Sequence, residues 1–76
     1  MKSTKNQPFL IKLGKRIVEL RKEKGLSQRE LCLRMDWDKP NLSVIENGKT
    51  APSITSIKKI ADALEIPLKD MFDFEY

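Results

Sequence analysis

The sequence predicts an all-α fold, an orthogonal bundle of five short helices around one core. Three observations carry this expectation. Apolar residues recur at three- and four-residue spacing in successive segments, and no convincing strand pattern is present. Residue types that cap helices stand before several of these segments, at Ser27, Asp38 and Ser53. The connections between segments are short, as in a small helical bundle. With 76 residues the chain reads as one small domain that buries a modest fraction of its surface.

Residues 1–7 are polar and are expected to form a flexible N-terminal arm, leaving 8–76 as the folded domain. From Pro8 to Lys24, Leu10, Leu13, Ile17 and Leu20 mark one face of an amphipathic helix. Gly14 inside it costs ~1 kcal/mol against alanine. Lys22 and Lys24 suit its last turn, and Gly25 supplies a left-handed stop. Ser27 followed by Glu30 is a capping box for a second helix, and Leu26 can staple onto Leu31 across it. Leu31, Cys32 and Met35 form that helix's inward stripe. The pattern then recurs: Asp38 can cap a third helix, Pro40 is tolerated in its first turn, and Trp37, expected to be buried in the turn, can staple onto Leu42. Leu42 and Ile45 face inward, and Gly48 ends the helix. A cap, about two turns, a tight turn and a second cap is the layout of a helix-turn-helix unit. After the Lys49–Pro52 loop, Ser53 caps a fourth helix with an inward stripe of Ile54, Ile57, Ile60, Ala61 and Leu64. Pro67 starts a short fifth helix carrying Leu68, Met71 and Phe72, and the tail ends in Phe74 and Tyr76.

Charge is unevenly spread. The chain carries 15 Lys+Arg and 11 Asp+Glu, for a net +4. Residues 1–61 hold 14 basic and 6 acidic side chains, whereas 62–76 hold Lys69 against Asp62, Glu65, Asp70, Asp73 and Glu75. A basic working face with an acidic end held away from it suits a polyanionic partner. The single cysteine, Cys32, excludes an internal disulfide and sits on an apolar stripe, where a core role is expected. No apolar run approaches the ~18 residues of a membrane span, and the start MKSTKNQPF lacks the apolar centre of a signal peptide, so a cytoplasmic setting with no membrane partner is expected. There is no histidine, cysteine cluster, phosphate-cradling glycine loop or convergent carboxylate pair, so neither catalysis nor a metal or cofactor is expected.

Three stretches carry a family resemblance: LRKEKGLSQRELCLRM, LSVIENGKTAPS and IKKIADALEIPLKDMF. From about Leu13 to Phe72 the chain resembles the Xre/Cro-like helix-turn-helix family of phage repressors, Cro proteins and restriction-modification controllers. The resemblance implies a five-helix lambda-repressor-like DNA-binding domain. The turn begins with Asp36 where the family usually has glycine, and aspartate tolerates the left-handed region better than most residues. Trp37 replaces a smaller aliphatic residue, implying a wider pocket beneath the turn.

In such a unit the second helix enters the major groove with its N-terminal residues on base edges. At ~100° per residue, inward Leu42 and Ile45 leave Pro40, Ser43, Val44 and Asn47 outward, flanked by Lys39 and Asn41. Lys39 can donate to guanine and Asn41 can pair with adenine, while Pro40 and Val44 can only touch thymine methyls or exclude bulk. Direct readout is therefore modest, with selectivity added by DNA shape. The resemblance implies that Gln28 meets a phosphate, and a base, at the groove edge. Ser27 lies at a helix start whose amides favour an anion. Asn47, Lys49 and Thr50, with Arg29 and Ser43 behind them, are the other phosphate candidates. Glu46 lies near the inward side, and the resemblance implies a partly buried ion pair with Arg21.

One unit makes a small DNA interface, so a homodimer with recognition helices ~34 Å apart is expected, its seam formed by Leu68, Met71, Phe72, Phe74 and Tyr76. The leading reading is a compact transcriptional regulator, repressor or activator, that binds double-stranded DNA at an operator. The alternative is an antitoxin or other protein-interaction module with a protein partner, autoregulating through the same fold.

Overall fold

Pro8, at the start of the first helix, lacks an N–H that the helix would leave unpaired in any case. The computed structural model describes residues 6–75. Within them the chain forms helices α1 (Gln7–Glu23), α2 (Gln28–Met35), α3 (Lys39–Glu46) and α4 (Ile54–Leu64), followed by a 3₁₀ helix, Leu68–Phe72. Residues 1–5 of the expected arm and Tyr76 lie outside the described residues, and α1 begins at Gln7. In place of a fifth α-helix, the segment after Pro67 closes i→i+3 bonds, with Asp70 N donating to Pro67 O at 3.0 Å. Five residues between a proline and the tail suit this tighter winding.

Helix α2 starts on the expected capping box. Glu30 N donates to Ser27 Oγ (3.0 Å) and Ser27 N donates to Glu30 Oε1 (2.8 Å). These hydrogen bonds from Ser27 hold the Glu30 carboxyl below its ordinary pKa. Asp36 ends α2 in the left-handed region (φ 57°), which lets the chain turn sharply into α3. Asp38 occupies the N-cap position of α3, but its side chain makes no capping bond. Pro40 offers no N–H, and Asn41 N donates to the Asp38 carbonyl instead (3.0 Å). Ser53 caps α4 by accepting from Ser56 N (3.1 Å). That helix ends at Glu65, which is left-handed (φ 60°) although it is not glycine.

The core draws on every helix: Leu13, Ile17 and Leu20; Leu31, Cys32 and Met35; Leu42 and Ile45; Ile57, Ile60, Ala61 and Leu64; and Met71. Burial pushes the Cys32 thiol pKa up, consistent with a packing role. The positions of four residues are corrected. Ile54 is 61% exposed, because at the first position of α4 it overhangs the end of the core. Leu10 and Trp37 are half-buried: Trp37 packs against the core's edge, and Leu10 lines a surface cleft. Met71 is fully buried, because the 3₁₀ helix packs on both α1 and α4. Arg16 Nε anchors that helix by donating to the Asp70 carbonyl (2.9 Å), and the Phe9 and Phe74 rings meet at 5.6 Å.

Helices α1 and α3 approach to backbone contact. A Cβ on buried Gly14 would fall inside contact distance of the Glu46 carbonyl oxygen and 2.7 Å from that of Ile45. A Cβ on Gly48 (φ +70°), just after α3, would likewise come within 2.7 Å of the Ile11 Cα. The glycine that counts against α1 by propensity is therefore what admits α3. Gly14→Ala should lower stability by about 1–3 kcal/mol despite a better helix propensity, since the clash is with backbone that has little room to yield. A urea titration that showed Gly14→Ala to be more stable than the native chain would refute the close approach.

Candidate nucleic-acid interface

Three backbone segments converge on one carboxylate. Arg21, in the last turn of α1, donates from Nε to Glu46 Oε2 (2.8 Å) and from Nη2 to Glu46 Oε1 (3.2 Å). Its Nη1 donates to the carbonyl of Leu26, just before α2 (2.8 Å). Gln28, the first residue of α2, donates from Nε2 to Glu46 Oε1 (2.7 Å). Arg21 and Glu46 are both buried, and the fork-to-fork geometry gives directional as well as charge attraction. Among the described residues no buried side-chain nitrogen or oxygen lacks a partner. Gln28 was expected only at the DNA edge. Here it is half-buried, with one of its two amide hydrogens committed to Glu46 and the second available.

With Leu42, Ile45 and Glu46 buried, α3 turns its other side to solvent. Lys39, Pro40, Asn41 and Asn47 are exposed, Val44 is 39% exposed, and Ser43 is half-buried. Asn47 Nδ2 donates to Ser43 Oγ at 3.3 Å. Around this face Ser27, Arg29, Lys49 and Thr50 are exposed. Arg29, Lys39 and Lys49 enter none of the ion pairs among the described residues, whereas Arg16, Arg21 and Lys58 are each neutralised by a carboxylate. A groove runs beside α3, lined by Trp37, Asn41, Val44, Ile45, Thr50, Pro52 and Ser56. Trp37, Pro52 and Ser56 were not foreseen there. Trp37 reaches it from the turn before α3, and Pro52 and Ser56 from the loop and helix that follow, so no single helical spacing signals the three together.

The expected dimer seam is altered. Met71 is removed from it by its burial in the core. Leu68 and Phe74 are half-buried and packed on the core, which leaves Phe72 exposed at 37%. Beside Phe72 stands Ile54, and the two line an apolar cleft with Phe9, Leu10, Ala51 and Pro52.

A short capped helix, a left-handed turn and a second helix held by its inner side define a helix-turn-helix unit, and the helix-turn-helix family model matches residues 17–71. The chain belongs to this family, within its Xre/Cro-like group of DNA-binding transcriptional regulators. Among individual proteins, it is 40% identical over 63 residues to the control protein C.MunI of a Mycoplasma species, covering 82% of this chain and 85% of that one. It is 42% identical over 62 residues to the transcriptional regulator SlrR of Bacillus subtilis, but spans only 41% of that protein's length. In three dimensions it matches the restriction-modification controller C.AhdI of Aeromonas hydrophila with a TM-score of 0.84 and 36% identity, covering 88% of this chain and 97% of that one.

Removing one partner of the buried pair tests the geometry. Arg21→Met leaves the Glu46 carboxylate buried with Gln28 as its remaining side-chain donor, and should cost ~3–5 kcal/mol in a urea titration. Replacing Glu46 by Met as well should recover much of that loss. Equal losses for the single and double variants would show that the charges do not act as a pair.

Proposed function

We propose that the protein binds an operator in double-stranded DNA as a homodimer, with α3 in the major groove, and acts as a compact regulator of the restriction-modification controller type. The observation that carries this reading is the two-sided character of α3. One side is buried and clamped through Glu46, and the other presents Lys39, Pro40, Asn41, Val44 and Asn47 to solvent. The controller type is supported by likeness to two controllers, C.MunI at 40% identity and C.AhdI at 36%.

Lys39 donates to guanine and Asn41 to adenine in this reading, with Pro40 and Val44 in apolar contact with bases. Gln28 offers its second amide hydrogen to the groove edge in this reading. Ser27, Arg29, Ser43, Asn47, Lys49 and Thr50 hold phosphates and set register without reading sequence. Selection of bound duplexes from random DNA should return a two-fold symmetric consensus with half-sites one helical turn apart. On that site Lys39→Ala and Asn41→Ala should each relax base preference at one position, at a cost of about 1–3 kcal/mol. Lys49→Ala should weaken all sequences alike and reduce the slope of log Kd against log salt by about 1. A steep salt slope with no consensus would refute operator recognition.

The homodimer seam is proposed around Phe72 and Ile54, with half-buried Leu68 and Phe74 beside them and Tyr76 following in sequence. Two large apolar side chains share one cleft there, on a chain otherwise rich in charge. Analytical ultracentrifugation at micromolar concentration should show a dimer, and Phe72→Ser with Ile54→Ser should shift it to monomer without changing the helical circular dichroism. An unchanged dimer would place the seam elsewhere.

A further inference from the structure

Between α1 and the C-terminal segment lies an open cavity of about 340 Å³, to which α3 contributes no wall. That volume is at the lower end of the range for small-molecule sites. It is lined by Lys12, Lys15, Arg16, Glu19, Phe74 and Glu75. Lys15 and Arg16 follow Lys12 by three and four residues, which puts three cations on one side of α1. Glu19 is already paired to Arg16, and Arg16 Nε is spent on the Asp70 carbonyl. Arg16 Nη2 has no such partner. Lys12 and Lys15 are exposed and enter none of the ion pairs among the described residues, although Glu19 and Glu75 border the same cavity. Phe74 is half-buried: its ring packs on Phe9, and it also lines the cavity. Unspent cationic donors beside an aromatic ring fit an anion that itself carries a ring. The charge would lie among Lys12, Lys15 and the Arg16 Nη2, and the ring against Phe74.

We propose that this cavity is an effector site for a small planar anion, an aromatic or heteroaromatic ring bearing a phosphate or a carboxylate. Its occupant ties α1 to the tail beside two contacts that seat the 3₁₀ helix, the Arg16–Asp70 bond and the Phe9–Phe74 pair. Phe9 also lines the apolar cleft that holds Phe72 and Ile54. Occupancy therefore favours the dimer, a consequence that rests on the seam proposed at that cleft. Glu75 is the one carboxylate on the wall without an ion-pair partner, and it opposes the bound charge.

The test titrates the full chain, free of DNA, with inorganic phosphate, benzoate and adenosine monophosphate at constant ionic strength, reading backbone amide shifts by NMR. A ring-bearing probe should saturate and shift the amides around Lys12, Arg16 and Phe74, and inorganic phosphate should bind about threefold more weakly or worse. The tighter of the two ring-bearing probes names the anionic group. Lys12→Met and Lys15→Met should each weaken that probe about threefold to fivefold, and Glu75→Gln should strengthen it. Phe74→Leu should weaken the ring-bearing probe and leave inorganic phosphate unchanged; where it unfolds the tail, the exposed lysine variants keep the test. In sedimentation velocity a saturating ring-bearing probe should raise the dimer fraction. Shifts that do not saturate, or saturation that the lysine variants leave untouched, would refute the site. Saturable binding with an unchanged dimer fraction would refute its effector role. If no dimer forms with or without the probe, the proposed seam fails, while saturable binding weakened in the lysine variants still upholds the site.

Discussion

The carboxylate of Glu46 lies where the end of α1, the start of α2 and the end of α3 meet, and the orientation of α3 depends on it. Burying two charges costs several kcal/mol per ion, and their attraction repays this only when every donor and acceptor is met. Here Arg21 supplies three directed bonds and Gln28 a fourth, so the cluster is satisfied. Its consequence is rotational register more than net stability. At ~100° per residue Val44 lies about 200° from Glu46, so fixing Glu46 inward points Val44 outward. A one-residue slip of α3 would take the carboxylate off the guanidinium and turn Val44 aside.

Gly14 and Gly48 make that register rigid. Because a Cβ at Gly14 would collide with α3 backbone, no side-chain layer separates the two helices there. Backbone packed directly on backbone has few alternative arrangements, and a helix already fixed before binding loses less freedom when it meets a partner. The buried pair and the glycine contact reach the same end of α3, at Ile45 and Glu46, leaving the Lys39 end to project. That is the end which contacts base edges in the proposed complex.

Much of this was legible in the sequence, because local rules decided it. The capping box of Ser27 and Glu30, the Ser53 cap, the left-handed Asp36 and most of the inward stripes follow from spacing and side-chain chemistry. What was not legible depends on contacts distant in the chain. Gly14 reads as a defect until α3 is laid against it. Ile54 fits the period of α4, yet the core ends before it. Met71 reads as surplus apolar area until the 3₁₀ helix is seated between α1 and α4. Asp38 stands at the N-cap of α3 without a side-chain capping bond, and Pro40, two residues on, has no amide to offer one. At the interface, the outward residues of α3 could be listed from a helical wheel, but the second wall of the groove, Pro52 and Ser56, comes from a different element.

The two helices of the unit begin differently, and this divides their tasks in the proposed complex. Helix α2 opens on a closed capping box, with the Glu30 carboxylate on the Ser27 amide and Arg29 exposed beside it. Helix α3 opens on Asp38 and Pro40: a carboxylate that repels phosphate, and a residue with no N–H to offer one. Its tip is therefore a poor phosphate anchor, and its contribution must come from side chains that reach the bases. Charge attraction to phosphate then falls to Arg29 and Lys49, which lie outside α3 and enter none of the ion pairs among the described residues. In the proposed complex affinity and selectivity therefore rest on separate residues: salt acts mainly on the first group, and base substitution on the second.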